Sequence, residues 1–188
     1  VENLRIACDS TELVPLLDGL LPRNYAAVLA RCEMARRQLG ILDDETLLSE
    51  LVDRTRSLIT ANEHGYLDES HEGLGCFDIY AADVYLFCEP LASVLGEAWI
   101  SGTRNVVELV ESIAMRDGSA FSWGRSTGAL SIALTVELGA LVARHSVGPT
   151  PLSNEPDRWS ALATNAVDQL GGWFSNGLVT AHQHRSPE

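Results

Sequence analysis

Arg23 to Ile59 reads RNYAAVLARCEMARRQLGILDDETLLSELVDRTRSLI, and this stretch decides the fold class. Tyr25, Val28, Leu29, Cys32 and Ala35 recur at steps of three and four, the period of an amphipathic helix from Arg23 to Leu39. Gly40 follows as a C-cap, because glycine takes the left-handed conformation that ends a helix without a Cβ clash. Asp43, Asp44 and Glu45 then place carboxylates where a helix N-terminus favours negative charge. Leu47, Leu48, Leu51, Val52, Leu58 and Ile59 form the apolar face of a second helix. So short a connection predicts an antiparallel helical hairpin.

The same grammar extends along the chain. Asn62 to Gly75 is polar and punctuated by glycine, which predicts a long loop rich in ionisable groups. Helical spacing returns from Asp78 to Trp99, with Tyr80, Val84, Phe87, Leu91 and Leu95 on one stripe and Pro90 as a kink or break. A helix from Asn105 to Met115 is expected to be capped by Thr103. A second loop covers Arg116 to Ser126, with a short ribbon expected near Phe121 to Trp123. Thr127 to Arg144 is so apolar that it should be packed on both sides, with Gly128 and Gly139 permitting close approach. Past the connector Val147 to Pro156, a last amphipathic helix runs from Asp157 to Phe174 through Trp159, Leu162, Ala166, Leu170 and Trp173. The expectation is an all-α chain, one helical domain over residues 1–188 built of stacked antiparallel hairpins.

Composition narrows the function. The 188 residues carry 13 basic and 26 acidic side chains, a formal charge of -13, with 46% hydrophobic residues. Every basic residue is an arginine, so nothing resembles the basic stripe that neutralises a phosphate backbone, and nucleic acid is excluded as a partner. Apolar runs fall short of the roughly 20 residues that span a bilayer. The chain opens on Val1 without a basic-then-apolar leader through Asp9, so a processed or trimmed start is expected. Cys8, Cys32, Cys76 and Cys88 contain no C-x-x-C pair and read as buried small hydrophobes in a reducing, cytoplasmic setting, although a Cys76–Cys88 pair stays open. His64 and His71 lack partners at zinc spacing, and no D-D-x-x-D run exists for isoprenoid chemistry. Neither a metal nor a cofactor is expected.

Two loops carry the chemistry. The first, with the helix it opens, offers Asp68, Glu69, His71, Glu72, Asp78 and Tyr80; the second offers Asp117, Trp123, Arg125 and Ser126. In stacked hairpins both loops emerge at one end of the helical layer and can line one cleft. Facing carboxylates supply the acid and base of glycoside hydrolysis, and a Trp face binds the apolar side of a pyranose. The planar fork of Arg125 suits a uronate carboxylate. Each residue also has a plainer reading: Asp68, Glu69 and Glu72 as loop solvation, His71 as a surface histidine, Asp78 as an N-cap, Trp123 as a packing plug. Arg125 fits its place less easily, since a helix N-terminus disfavours a cation that has no other task.

The order Gly65-Tyr66-Leu67-Asp68, Phe77-Asp78-Ile79-Tyr80, Asp117-Gly118 and Trp123-Gly124-Arg125-Ser126 resembles the helical-toroid carbohydrate-active proteins. Within these, the resemblance is to a bacterial group of six-hairpin glycosidase-like proteins and, more distantly, to the toroidal domains of hyaluronan and chondroitin lyases. It covers Gly65 to Leu141 and rests on short motifs. It implies that Asp78 and Tyr80 match an aspartate- and tyrosine-rich box opening one helix at the toroid mouth, and that Gly124, Arg125 and Ser126 match an element opening another. The lyases imply Tyr80 as the proton-abstracting base, His71 as a neutraliser of the uronate and Arg125 as a bordering arginine. Trp123 departs from their Arg-Gly-Arg element, and the histidine-to-tyrosine spacing differs.

The resemblance therefore implies an (α/α) toroid and a hydrolase for an anionic, uronic-acid-containing oligosaccharide. Asp78, Tyr80, His71 and Glu72 would be catalytic, and Asp68, Asp117, Trp123, Arg125 and Ser126 would bind substrate. Tyr-assisted β-elimination and a non-catalytic helical interaction module are the alternatives. Six hairpins need about 300 residues, so self-association or a further chain segment is expected to complete the ring.

Overall fold

The computed structural model describes residues 9–41, 45–60, 64–68, 77–121, 128–175 and 178–179. Helices dominate: α1 (Tyr25–Gln38), α2 (Glu45–Thr60), α3 (Ile79–Phe87), the short α4 (Ala92–Leu95), α5 (Glu97–Ile113), α6 (Ala129–Arg144) and α7 (Pro156–Gly171). Short 3-10 segments occupy Thr11–Leu17 and Glu89–Leu91, and the all-α class holds. The chain divides into two compact units after Gly102, within α5. No helix among the described residues is long and apolar enough to cross a membrane.

In the first unit α1 and α2 form the expected hairpin. Gly40, at φ +67°, donates its N–H to Arg37 O, and Ile41 donates to Arg36 O, each at 3.0 Å, so the last carbonyls of α1 are satisfied in a Schellman closure. Arg37 Nε at 3.3 Å from Glu45 then ties the end of α1 to the start of α2. The buried face of α1 is rotated from the expected stripe. Ala26, Ala27, Leu29, Ala30, Glu33, Met34 and Arg36 are buried, whereas Cys32 is exposed. The cause is a buried ion pair: Glu33 Oε2 accepts from Arg36 Nη1 at 2.7 Å and Oε1 accepts from Ser10 N at 3.1 Å. Polar residues at 33 and 36 occupy the core side because they satisfy one another, and small alanines beside them admit the neighbours.

The long helix expected from Asp78 breaks at Pro90, where a 3-10 turn replaces it, and again at Gly96, whose φ is +61°. Its stripe also divides. Val84, Leu91 and Leu95 are buried, but Tyr80 is half-buried and Phe87 is 42% exposed. Thr103 is not an N-cap: it lies fully buried inside α5, which begins at Glu97. Gly102, inside the same helix, serves packing. A Cβ there would stand 2.4 Å from Cε1 of the fully buried Tyr85, whose backbone carbonyl accepts from Trp99 Nε1 at 2.9 Å.

In the second unit α6 and α7 form an antiparallel pair. A Cβ on Gly139 would lie 2.6 Å from Ala163 Cβ, and one on Gly128 would lie 2.8 Å from the Trp173 ring, so rising numbers on one helix meet falling numbers beyond it. Trp159, Leu162 and Ala166 of α7 are buried, as are Leu134, Leu138, Leu141 and Val142 of α6. The last helix stops at Gly171, before a two-stranded antiparallel ribbon pairing Phe174 with Val179 and Ser175 with Leu178. The ribbon expected at Phe121 to Trp123 has its pairing earlier, as a bridge between Met115 and Ala120; residues 122–123 lie outside the described residues.

Gly102→Ala gains about 1 kcal/mol of helix propensity but overpacks against an immobile ring, which costs about 1–3 kcal/mol. Urea unfolding should show net destabilisation, while Gly171→Ala, with open space around it, should stabilise by about 0.4–1 kcal/mol. Burial pushes the Cys88 thiol up to about 12, partly opposed by Arg31, and raises the Tyr85 phenol in the same direction. Because these groups hold protons in the folded state that the unfolded chain releases, stability is intact below pH 9.0 and falls as pH rises toward about 12. Alkylation at neutral pH followed by peptide mapping should modify Cys32 and spare Cys88 until the protein unfolds.

Candidate functional site

The described part of the first loop returns to α3 through aromatic contacts. His64 stacks on Tyr66 with ring centroids 5.9 Å apart, and Tyr66 meets Phe77 edge-on at 5.2 Å. An edge-to-face pair contributes about 0.5–1.5 kcal/mol beyond burial. Here it brings the stretch carrying Asp68 beside the stretch carrying Asp78. Both aspartates are buried, and the Asp68 carbonyl accepts from Arg23 Nη1 at 3.5 Å.

Asp78 caps α3. Its backbone is extended, and Oδ1 accepts from Tyr80 N at 2.9 Å and Ala81 N at 3.3 Å, the latter shared with the Asp78 carbonyl at 3.1 Å, so the first donors of the helix are satisfied. The carboxylate is thus held rigidly at the helix entrance. Tyr80, the second residue of the helix, is half-buried. Tyr85, by contrast, is a core residue with no exposed surface.

Asp117 lies in the second unit, in an exposed turn. Its Oδ1 accepts from Ser119 Oγ at 2.7 Å and Ser119 N at 2.9 Å, and these bonds, the side-chain one foremost, hold the carboxyl below its ordinary range. The turn is docked tightly on α7. A Cβ on Gly118 would sit 2.3 Å from the Asn165 backbone, and Asn165 Nδ2 donates to Arg116 O at 2.9 Å. Ala120 closes the turn with a positive φ of 62°, a conformation that costs a non-glycine residue about 1 kcal/mol or more. Glu69, His71, Glu72, Trp123, Arg125 and Ser126 lie outside the described residues.

One group escaped the sequence reading. Asp83 is half-buried in the middle of α3, and no donor among the described residues hydrogen-bonds it; desolvation raises its carboxyl above the ordinary value. The available signal was a lone acid within the apolar run Ile79 to Phe87, three residues after Tyr80 and four before Phe87. Elsewhere in the first unit, a cavity of about 770 Å³ runs between the segment Leu17 to Arg23 and the outer side of α2. Its charges are already matched, Arg54 to Asp18 at 2.8 Å and to Glu50 at 3.0 Å, and it meets the loop only through Arg23. Among the described residues no group of three or more His, Cys, Asp or Glu is placed to hold a metal ion.

Compared with known proteins, the chain matches no protein-family model, no curated protein and no solved structure.

The cap and any chemistry of Asp78 are separable, because asparagine caps a helix as well as aspartate does. Asp78→Ala should lose about 1 kcal/mol in denaturant unfolding, and Asp78→Asn should stay within a few tenths of the parent.

Proposed function

We propose that the chain is a carbohydrate-active domain, a glycoside hydrolase for an anionic, uronic-acid-containing oligosaccharide, within an (α/α) toroid completed by a further segment or a second copy. The observation that carries this reading is the Tyr66–Phe77 contact, which sets two buried aspartates beside a half-exposed tyrosine at the entrance of one helix. Glycoside hydrolysis requires a carboxylate to take a proton from water and an acid to give one to the departing oxygen. Asp68 or Asp78 serves as the first of these, and Tyr80 orients the sugar through its ring and hydroxyl. In this reading His71 and Glu72 complete the catalytic set.

A second reading, β-elimination, is favoured by Tyr80 itself, a half-buried tyrosine whose backbone N–H binds the Asp78 carboxylate. The two readings part on their products: hydrolysis yields saturated reducing ends, and elimination yields an unsaturated uronate that absorbs in the near ultraviolet. Incubating the protein with uronate-containing oligosaccharides should release saturated reducing ends, and Asp78→Asn should reduce the rate by about 10²–10⁴ while keeping its stability. Release of unsaturated ends would assign the lyase chemistry. A folded protein inactive on every anionic oligosaccharide, alone and in its assembled form, would overturn both and favour a non-catalytic interaction module.

A further inference from the structure

We propose that the groove on the outer side of α2 is a second binding site, for an uncharged, largely apolar small molecule. Its volume of about 770 Å³ lies within the roughly 300–1,000 Å³ typical of small-molecule sites. Half-buried Leu17 and Leu21 line it from the turn before α1, half-buried Leu58 from α2 and buried Ala26 from α1. The turn is pinned on itself: Leu20 N and Leu21 N both donate to Leu16 O, at 3.0 and 2.9 Å, and Gly19 bends the chain at a φ of +120° with open space around it. This bend leaves Leu20 79% exposed while Leu17 and Leu21 line the groove. Arg54 then ties the turn to α2 through Asp18 at 2.8 Å, so the groove is preformed.

The charges around the groove decide what it takes. Arg54 pairs with Asp18 and Glu50, Asp53 pairs with Arg56, and Arg23 donates to the Asp68 carbonyl. Arg23, Arg54 and Arg56 thus stand against Asp18, Glu50 and Asp53, a local balance in a chain whose formal charge is -13. A charged ligand must either displace a member of these pairs or enter the apolar part without a counter-ion, and desolvation opposes the second course. Hydroxyls are the other polar groups on offer. Thr46, Ser49 and Ser57 line the groove on the face of α2 opposite its buried Leu48, Leu51, Val52 and Ile59. They suit a ligand with an apolar body and hydroxyl or carbonyl groups along one edge.

Three probes of one chain length test this: 1-octanol, octanoate and octylammonium, each titrated into the whole chain and followed by leucine-methyl NMR. 1-Octanol should give saturable shifts at Leu17, Leu21 and Leu58, and the two ions should bind at least about tenfold more weakly. Ser57→Trp and Ser49→Trp replace exposed serines and fill the groove from the solvent side, so the fold should persist. Either should weaken octanol binding by about tenfold or more. Arg54→Gln removes the arginine shared by Asp18 and Glu50, partly exposed pairs whose loss the fold tolerates, and should turn the preference toward octylammonium. The assignment would be overturned by absent or non-saturating octanol shifts at these leucines, or by either ion binding the parent as tightly as octanol. Octanol binding unchanged in both tryptophan variants, or a preference unmoved by Arg54→Gln, would overturn it equally. The carbohydrate reading is tested at α3 and stands or falls apart from these results.

Discussion

The contact of Tyr85 with Gly102 governs how α3 is presented. A fully buried ring occupies the space where any other residue of α5 would carry a side chain, and the indole of Trp99 binds the carbonyl of the same tyrosine at 2.9 Å. With Tyr85 fixed toward the core, helical geometry turns Tyr80, Asp83 and Phe87 away from it. The Asp78 cap fixes the other variable, where α3 starts, and the Tyr66–Phe77 pair returns the loop to that start. Orientation, origin and loop approach are thus set by three separate contacts.

Polar groups in the core act as a second constraint. Glu33 has no exposed surface and Arg36 almost none, and their pairing extends to the Ser10 amide. Such a pair is weak evidence for net stability, because desolving both ions offsets much of their attraction. Its effect is on register: any rotation of α1 that hid Cys32 would expose one member of the pair and leave the other buried alone. A half-broken buried pair typically costs about 3–5 kcal/mol. The exposed thiol and the buried carboxylate are therefore two consequences of one choice.

This explains what could be read from the residues and what could not. The α1–α2 hairpin was legible because Gly40 and the carboxylates after it punctuate two runs of helical period, and α6 was legible because its length is almost wholly apolar. Thr103 misled, since a threonine shortly before an apolar run has the composition of an N-cap, and only the structure shows that the helix already runs through it from Glu97. Cys32 and Phe87 misled because periodicity identifies a helix more securely than it identifies which of two adjacent faces is buried. Asp78 was legible as cap and as candidate from its place before an apolar run. Asp83 was not, since a single acid within a helix reads as solvated until burial is known.

The central claim is that the entrance of α3 meets an anionic sugar. The direct measurement is a titration of the isotope-labelled protein with a uronate-containing oligosaccharide, followed by NMR at aspartate carboxyl and aromatic positions. The account predicts saturable shifts at Tyr80, accompanied by Asp68 or Asp78. Shifts confined to the groove between Leu17 and Leu58, or none at saturating ligand, would contradict it.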